Sequence, residues 1–187
     1  MRVCLDACVL YPTVMRQMLL GCAEAGLYAP RWSARILEEW ARAAARLGPE
    51  GEVIARGEIA ALTARWPGAE VRVDMGQARS LRLPDENDVH VLAAAVQGHC
   101  DAILTLNAKD FPRGVLAEEG LARLDPDGFL LRMHDEAPEA VSRVGQAVLA
   151  EARRLSGQDW TARALMKKAR LPRIGKRLDG GGESIRE

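Results

Sequence analysis

The sequence predicts an α/β protein: a Rossmann-like open parallel sheet with helices on both faces, followed by a small C-terminal helical extension. Three observations lead there. RVCL (Arg2 to Leu5) and AILTL (Ala102 to Leu106) are continuous rather than alternating apolar runs, the pattern of strands buried on both faces. Segments of helical periodicity separate them, as crossover helices separate parallel strands. From about Asp127 onward only helical patterns remain.

The elements follow in order. RVCL ends at an acid, Asp6. PTVMRQMLLGCAEAGL then reads as a helix from Pro12 to Gly26, with Val14, Met18 and Cys22 on one face. LYAPRW is a short extended link. Ser33 is an N-cap for SARILEEWARAAARLG, whose Ile36, Leu37 and Trp40 recur at helical spacing until Gly48-Pro49 stops them. A polar helix over about Gly51 to Trp66 closes at Pro67-Gly68, and AEVRVDM alternates as a half-buried strand does. Asp85 or Asn87 caps a helix running through Val96, with Gly98 at its end. AILTL is the next strand, and LARLD, after the short helix GVLAEEG, is a further edge strand. Three helical stretches come last, the third of them basic. The expected division is therefore 1–133 for the α/β domain, 134–178 for the basic helical extension and 179–187 for a disordered tail.

Composition narrows the function classes. A chain of 187 residues, 48% of them hydrophobic, buries one sizeable core. Its 26 basic and 26 acidic residues cancel, so attraction to nucleic acid has to come from a local patch. The strongest such patch is Thr161 to Leu178, with seven lysines and arginines and no acid; it is equally a solvated helix face. Cys4, Cys8, Cys22 and Cys100 are too sparse for a disulfide-stapled fold and lack zinc-knuckle spacing, so they read as buried thiols in a reducing compartment. No stretch reads as a membrane span or signal peptide, and the expected location is the cytoplasm.

The chemistry lies with the acids. In a doubly wound sheet, ligands bind beyond the carboxyl ends of the strands. Asp6 follows the first strand directly, Asn107 stands at the tip of the AILTL strand, Asp110 lies in the loop after it, and Asp88 opens the helix that leads to it. Glu38 and Glu39, a turn into the helix capped by Ser33, place one more carboxylate within reach. Singly, each has a plain role as cap, turn residue or exposed helix charge. Jointly they conflict: two carboxylates ~4 Å apart repel by roughly 4 kcal/mol at an effective dielectric near 20. Such a group must take up protons or hold a hard cation such as Mg²⁺ or Mn²⁺. His90 could hydrogen-bond a ligating carboxylate, although a plain helix position is the simpler reading.

Competing chemistries lack their residues. A haloacid-dehalogenase-type phosphatase needs an acid two residues after the first, where Cys8 stands; a phosphate-receiver domain needs an acid pair after its first strand. Neither a glycine-rich phosphate loop nor a dinucleotide fingerprint is present.

LDACVLYP, RWSARILEEW, LPDENDVHVLAAAV and AILTLNAKDFP, in this order and spacing, resemble the PIN-domain ribonucleases, in particular the bacterial VapC-like branch containing many toxins of toxin–antitoxin pairs. The resemblance covers roughly Arg2 to Met133. It implies that Asp6, Glu39, Asp88 and Asp110 are the catalytic, metal-binding acids. Glu39 is taken over Glu38 because the family's glutamate precedes a large apolar residue, here Trp40. Thr105 and Asn107 take supporting polar positions, and Asp85 is cap or outer support. It further implies Mg²⁺- or Mn²⁺-dependent cleavage of RNA, frequent dimerisation and a small antitoxin as partner. Lys167, Lys168 and Arg170 are the expected RNA contacts outside the acidic centre. The alternative is a PIN fold retained as a non-catalytic RNA- or protein-binding module.

Overall fold

The structure, a computed structural model, describes residues 1–180. In chain order the elements are β1 (Arg2–Leu5), α1 (Ala7–Leu10), α2 (Thr13–Glu24), β2 (Ala29–Arg31), α3 (Ala34–Ala45), α4 (Pro49–Arg65), α5 (Val89–Gln97), β3 (Ala102–Leu104), α6 (Arg113–Glu118), β4 (Ala122–Leu124), α7 (Pro126–Glu136), α8 (Pro138–Ser156), α9 (Ala162–Lys168) and α10 (Pro172–Gly180). A single 3-10 turn, Glu86–Asp88, leads into α5.

The four strands form one parallel sheet in the order β2-β1-β3-β4, the α/β architecture that the apolar runs predict. Val3, Cys4, Leu5, Ala102, Ile103 and Leu104 are fully buried, as continuous apolar strands require. From β1 the chain goes to one side for β2 and to the other for β3. The strand order thus reverses between β1 and β3, and their carboxyl ends, Leu5 and Leu104, are register partners. This is the topological switch point, where loops diverge and leave a crevice.

By compactness the chain divides into two units, Met1–Tyr11 with Tyr28–Leu124, and Pro12–Leu27 with Asp125 onward. The first holds the sheet. In it α5 packs on β1 and β3, α6 on β4, and α3 against α4. Ser33 caps α3 by accepting from the Ile36 N–H at 3.3 Å, and Ile36, Leu37, Trp40, Ala41 and Ala44 form the buried stripe.

The second unit is helical. α2 packs with α8, α7 with α8 and α10, and α9 with α10. α2 and α8 approach so closely that a Cβ on Gly21 would lie 2.6 Å from Val144 Cγ1.

Two expectations need correction. AEVRVDM is not a strand: only an isolated bridge pairs Glu70 with Trp32. Beyond it the backbone is held by a side chain, since Gln97 donates from Nε2 to the Asp74 carbonyl and accepts from the Asp74 N–H, both at 2.8 Å. Of the tail 179–187, Asp179 and Gly180 complete α10, and residues 181–187 lie outside the described residues.

Candidate metal centre

Asp6 occupies the N-cap position of α1, and its carbonyl accepts from the Val9 N–H at 3.0 Å, yet its carboxylate makes no capping bond. The side chain turns instead toward the switch point. There Oδ2 accepts from Thr105 Oγ1 at 2.7 Å and from Cys8 Sγ at 3.0 Å. Thr105 directly follows β3, and its backbone N–H still donates to the Leu124 carbonyl at 3.1 Å, which fixes the position from which its hydroxyl reaches Asp6. Burial, and next the charge of Asp6, push the Cys8 thiol up to about 12, so it stays protonated and donates. Asp6 itself is only 8% exposed.

Asp88 repeats the pattern. It stands at the N-cap of α5 without a side-chain capping bond, whereas Asp85, three residues earlier, caps the 3-10 turn by accepting from the Asn87 N–H at 2.9 Å. Asn107 ties the next two acids together, donating from Nδ2 to Asp110 Oδ2 at 2.7 Å and to Asp88 Oδ2 at 3.2 Å. Carboxylate oxygens of Asp85, Asp88 and Asp110 lie within 4.8 Å of one another. The Asp88 carboxyl is pushed up to about 6, first by desolvation and then by the charges of Asp6, Asp85, Asp110 and Glu39. Four other acids thus bear on Asp88, of which Asp85 and Asp110 belong to its close group and Asp6 and Glu39 do not.

Glu38 and Glu39 separate cleanly. Glu38 pairs with Arg42 and Arg56 on the exposed side of α3, and these guanidinium groups hold its carboxyl below the usual range. Glu39 faces the cluster. Its Oε1 lies 2.7 Å from Nε2 of His90, a ring only 2% exposed, and 3.6 Å from Arg35 Nε. The His90 contact is close but not aligned as a hydrogen bond, and Nδ1 of the ring is buried without a partner.

The donors in the cluster are hard carboxylate oxygens, oriented by neutral groups: the Asn107 amide and the Thr105 and Cys8 hydrogens. That set suits Mg²⁺ or Mn²⁺ and leaves negative charge for an ion to neutralise. Asp85 is both a cap and a member of the close cluster. Cys8 is the residue that sequence reasoning passed over as a buried thiol. Its signal was its place two residues beyond Asp6, in the first turn of the helix that Asp6 begins.

Lys167, Lys168 and Arg170 belong to the helical unit. All three are exposed; the Lys168 ammonium lies 5.0 Å from the centroid of the Trp160 ring, and Arg170 adopts a left-handed backbone with φ 61°. Part of the basic segment is neutralised within that unit, because Arg173 pairs with Asp125 and Asp127, and Arg177 with Asp135. Among the described residues no helix is long and apolar enough to cross a membrane.

Comparison with known proteins adds two findings. A protein-family model described as PIN domain matches residues 2–109, more than half of the chain. Over 57 residues the chain is 44% identical to a protein named "Putative ribonuclease VapC50" from Mycobacterium tuberculosis (strain ATCC 25618 / H37Rv), a stretch covering 30% of this chain and 34% of that protein. The match thus spans about a third of that relative's length. No solved structure matches the chain.

Proposed function

The chain belongs to the PIN-domain family, and from that premise we propose that it is a divalent-metal-dependent endoribonuclease, hydrolysing RNA phosphodiester bonds at the switch point between β1 and β3. The observation that carries this reading is the convergence of Asp6, Glu39, Asp85 and Asp110 on Asp88, with neutral donors holding the carboxylates in place. In it, Asp6, Glu39, Asp88 and Asp110 hold Mg²⁺ or Mn²⁺. When bound, a divalent ion supplies the positive charge that a scissile phosphate and an attacking water both require. Thr105 and Cys8 fix the rotamer of Asp6, and Asn107 keeps Asp88 and Asp110 at a common distance. No serine or cysteine is needed as nucleophile, and the protonated Cys8 thiol is unsuited to be one.

The catalytic part is assigned to residues 1–133 and an accessory, basic role to 134–178. Lys167, Lys168 and Arg170 are proposed to contact the RNA backbone. The mycobacterial relative, named a putative ribonuclease, supports RNA as substrate; a toxin role with a small antitoxin as partner, a homodimeric assembly and a cytoplasmic location are proposed alongside it. The test is cleavage of defined RNAs by purified protein with and without Mn²⁺. The wild type should cut only with the ion, and Asp6→Asn should not cut; equal cutting by Asp6→Asn defeats the reading and leaves a binding module in its place.

A further inference from the structure

The segment GQDWT, Gly157 to Thr161, joins α8 to α9, and its one large residue, Trp160, is partly exposed among fully exposed neighbours. The segment is fixed at both ends. Gly157 ends α8 in a left-handed conformation, φ 65°, and Thr161 caps α9 by accepting from the Ala164 N–H at 3.1 Å. Between them Ser156 Oγ accepts from the Gln158 N–H at 3.2 Å and from Trp160 Nε1 at 3.1 Å, while the Trp160 carbonyl accepts from Arg153 Nε at 2.8 Å. The indole is thus pinned by its polar edge. Its π face carries a cation, the Lys168 ammonium, 5.0 Å from the ring centroid. Positive charge gathers around it. The acids of this stretch are already taken, Glu151 by Arg154 and Asp159 by Arg153, whereas Lys167, Lys168 and Arg170 are exposed and make no ion pair among the described residues. Arg170 closes α9 with a left-handed backbone, φ 61°, that glycine adopts more readily, so a cation stands there against local preference.

We propose that Trp160 and these three cations form a binding site for single-stranded RNA, in which an unpaired base stacks on the indole and the adjoining phosphates lie on Lys167, Lys168 and Arg170. The inference rests on the ribonuclease reading for its ligand and extends it to the form of RNA that the helical unit takes. Single strands, unlike duplexes, present base faces, and sequence-tolerant sites hold them by combining aromatic platforms with cations that track the backbone. A pinned tryptophan suits that task, because little side-chain freedom is left to lose on binding. The contact with Lys168 does not block it. An exposed cation–π contact is weaker than stacking of a base on an aromatic ring, and the same nucleotide brings a phosphate to meet the displaced ammonium. By charge alone a duplex would be the better ligand, since its phosphates are more closely spaced along the axis. The indole reverses that order.

The test uses the whole chain in EDTA, so that no cleavage intervenes, and filter binding at several ionic strengths. The probes are an oligoadenylate of about ten nucleotides and the same strand paired with oligouridylate. Oligoadenylate should bind at least about 5-fold more tightly than the duplex, the smallest effect of one stacked base. Trp160→Ala should weaken single-strand binding by about 5- to 100-fold and leave the salt slope unchanged, and Trp160→Phe, which keeps an aromatic face, should recover most of the loss. Replacing Lys167 and Lys168 by glutamine should instead flatten the slope. If Trp160→Ala melts early, the indole N–H signals of the wild type give the same answer by NMR. Oligoadenylate should shift the Trp160 signal, identified by its absence from Trp160→Phe, and leave that of Trp66, the partly exposed tryptophan of the sheet unit beside Arg65. Tighter binding of the duplex, an unshifted Trp160 signal, or Trp160→Ala binding as the wild type overturns the site. So does a salt slope lost in Trp160→Ala, which assigns the effect to Lys168 rather than to stacking, and so does an absence of RNA binding, which leaves this face to a protein partner. Mn²⁺-dependent cleavage is then scored separately. RNA cutting that Asp88→Asn abolishes, in a protein whose Trp160→Ala variant binds normally, sinks the site and keeps the nuclease. Stacking at Trp160 without any RNA cutting sinks the nuclease and keeps the site.

Discussion

Asp125 and Asp127 in the helical unit and the clustered acids at the switch point of the sheet unit have opposite surroundings. In the helical unit Asp127, 7% exposed, accepts from the Arg173 N–H at 2.9 Å and the Ile174 N–H at 3.0 Å and meets the Arg173 guanidinium at 3.3 Å. Asp125 caps α7 through the Gly128 N–H and also pairs with Arg173. In the sheet unit, Asp6 and Asp88 hold N-cap positions without capping, and their surroundings are other carboxylates and neutral donors. Structural acids find donors and cations on their own chain. Acids that remain with one another, fixed in place, require something from outside.

Substitutions at the two kinds of acid should therefore separate activity from stability. The largest effect is expected from Asp88→Asn or Asp6→Asn: Mn²⁺-dependent RNA cleavage should fall by more than about 100-fold. At neutral pH and without metal, the melting temperature of Asp88→Asn should rise, because a repulsive charge is gone. A drop in melting temperature would place Asp88 with the structural acids. Asp127→Ala should do the reverse, lowering stability by about 1–3 kcal/mol through the donors it leaves unmet, with cleavage per folded molecule unchanged. Denaturant unfolding and RNA assays on the same preparations measure both.

Removing a neutral donor sharpens the contrast at smaller amplitude. Asn107→Ala should weaken Mn²⁺ binding by about 10- to 100-fold, as loss of an outer-shell partner does, while a calorimetric titration shows the stoichiometry preserved. A smaller effect should follow pH. The Asp88 carboxyl is raised from 3.8 to about 6, so its neutral form is favoured by the fold. Without metal its contribution to stability is present at low pH and is lost as pH rises through about 6. Metal must displace that proton, so Mn²⁺ affinity should climb between pH 5 and 7 and flatten above. An affinity flat across that range would mean that Asp88 is already ionised. The smallest effect belongs to the basic unit: neutralising Lys167, Lys168 and Arg170 should reduce RNA affinity and its salt slope, read by filter binding at several ionic strengths.

The sheet was legible because continuous apolar runs have few alternatives at strand length, and α3 because Ser33, Ile36, Leu37 and Trp40 agree at every level. AEVRVDM misled because alternation records only that one side of a chain is drier than the other. Here a groove, rather than a sheet face, produces the alternation at Val71 and Val73. For the site, topology brought Asp6, Asp88, Asn107 and Asp110 to one edge in advance. Rotamers were not legible. Whether Asp6 caps its helix or turns to Thr105, and whether Cys8 lies idle or donates, depends on side-chain packing between segments about 100 residues apart, which no linear pattern records.

The bond from Thr105 to Asp6 joins residues 99 apart in sequence, and the remaining acids reach as far as position 110. During synthesis such a centre does not exist until the ribosome has released well over half of the chain and β1 has found β3. A nascent fragment carrying Asp6, Glu39 and even Asp88 therefore lacks Thr105, Asn107 and Asp110, and under the proposed nuclease reading the complete centre arrives only with the late-emerging strand.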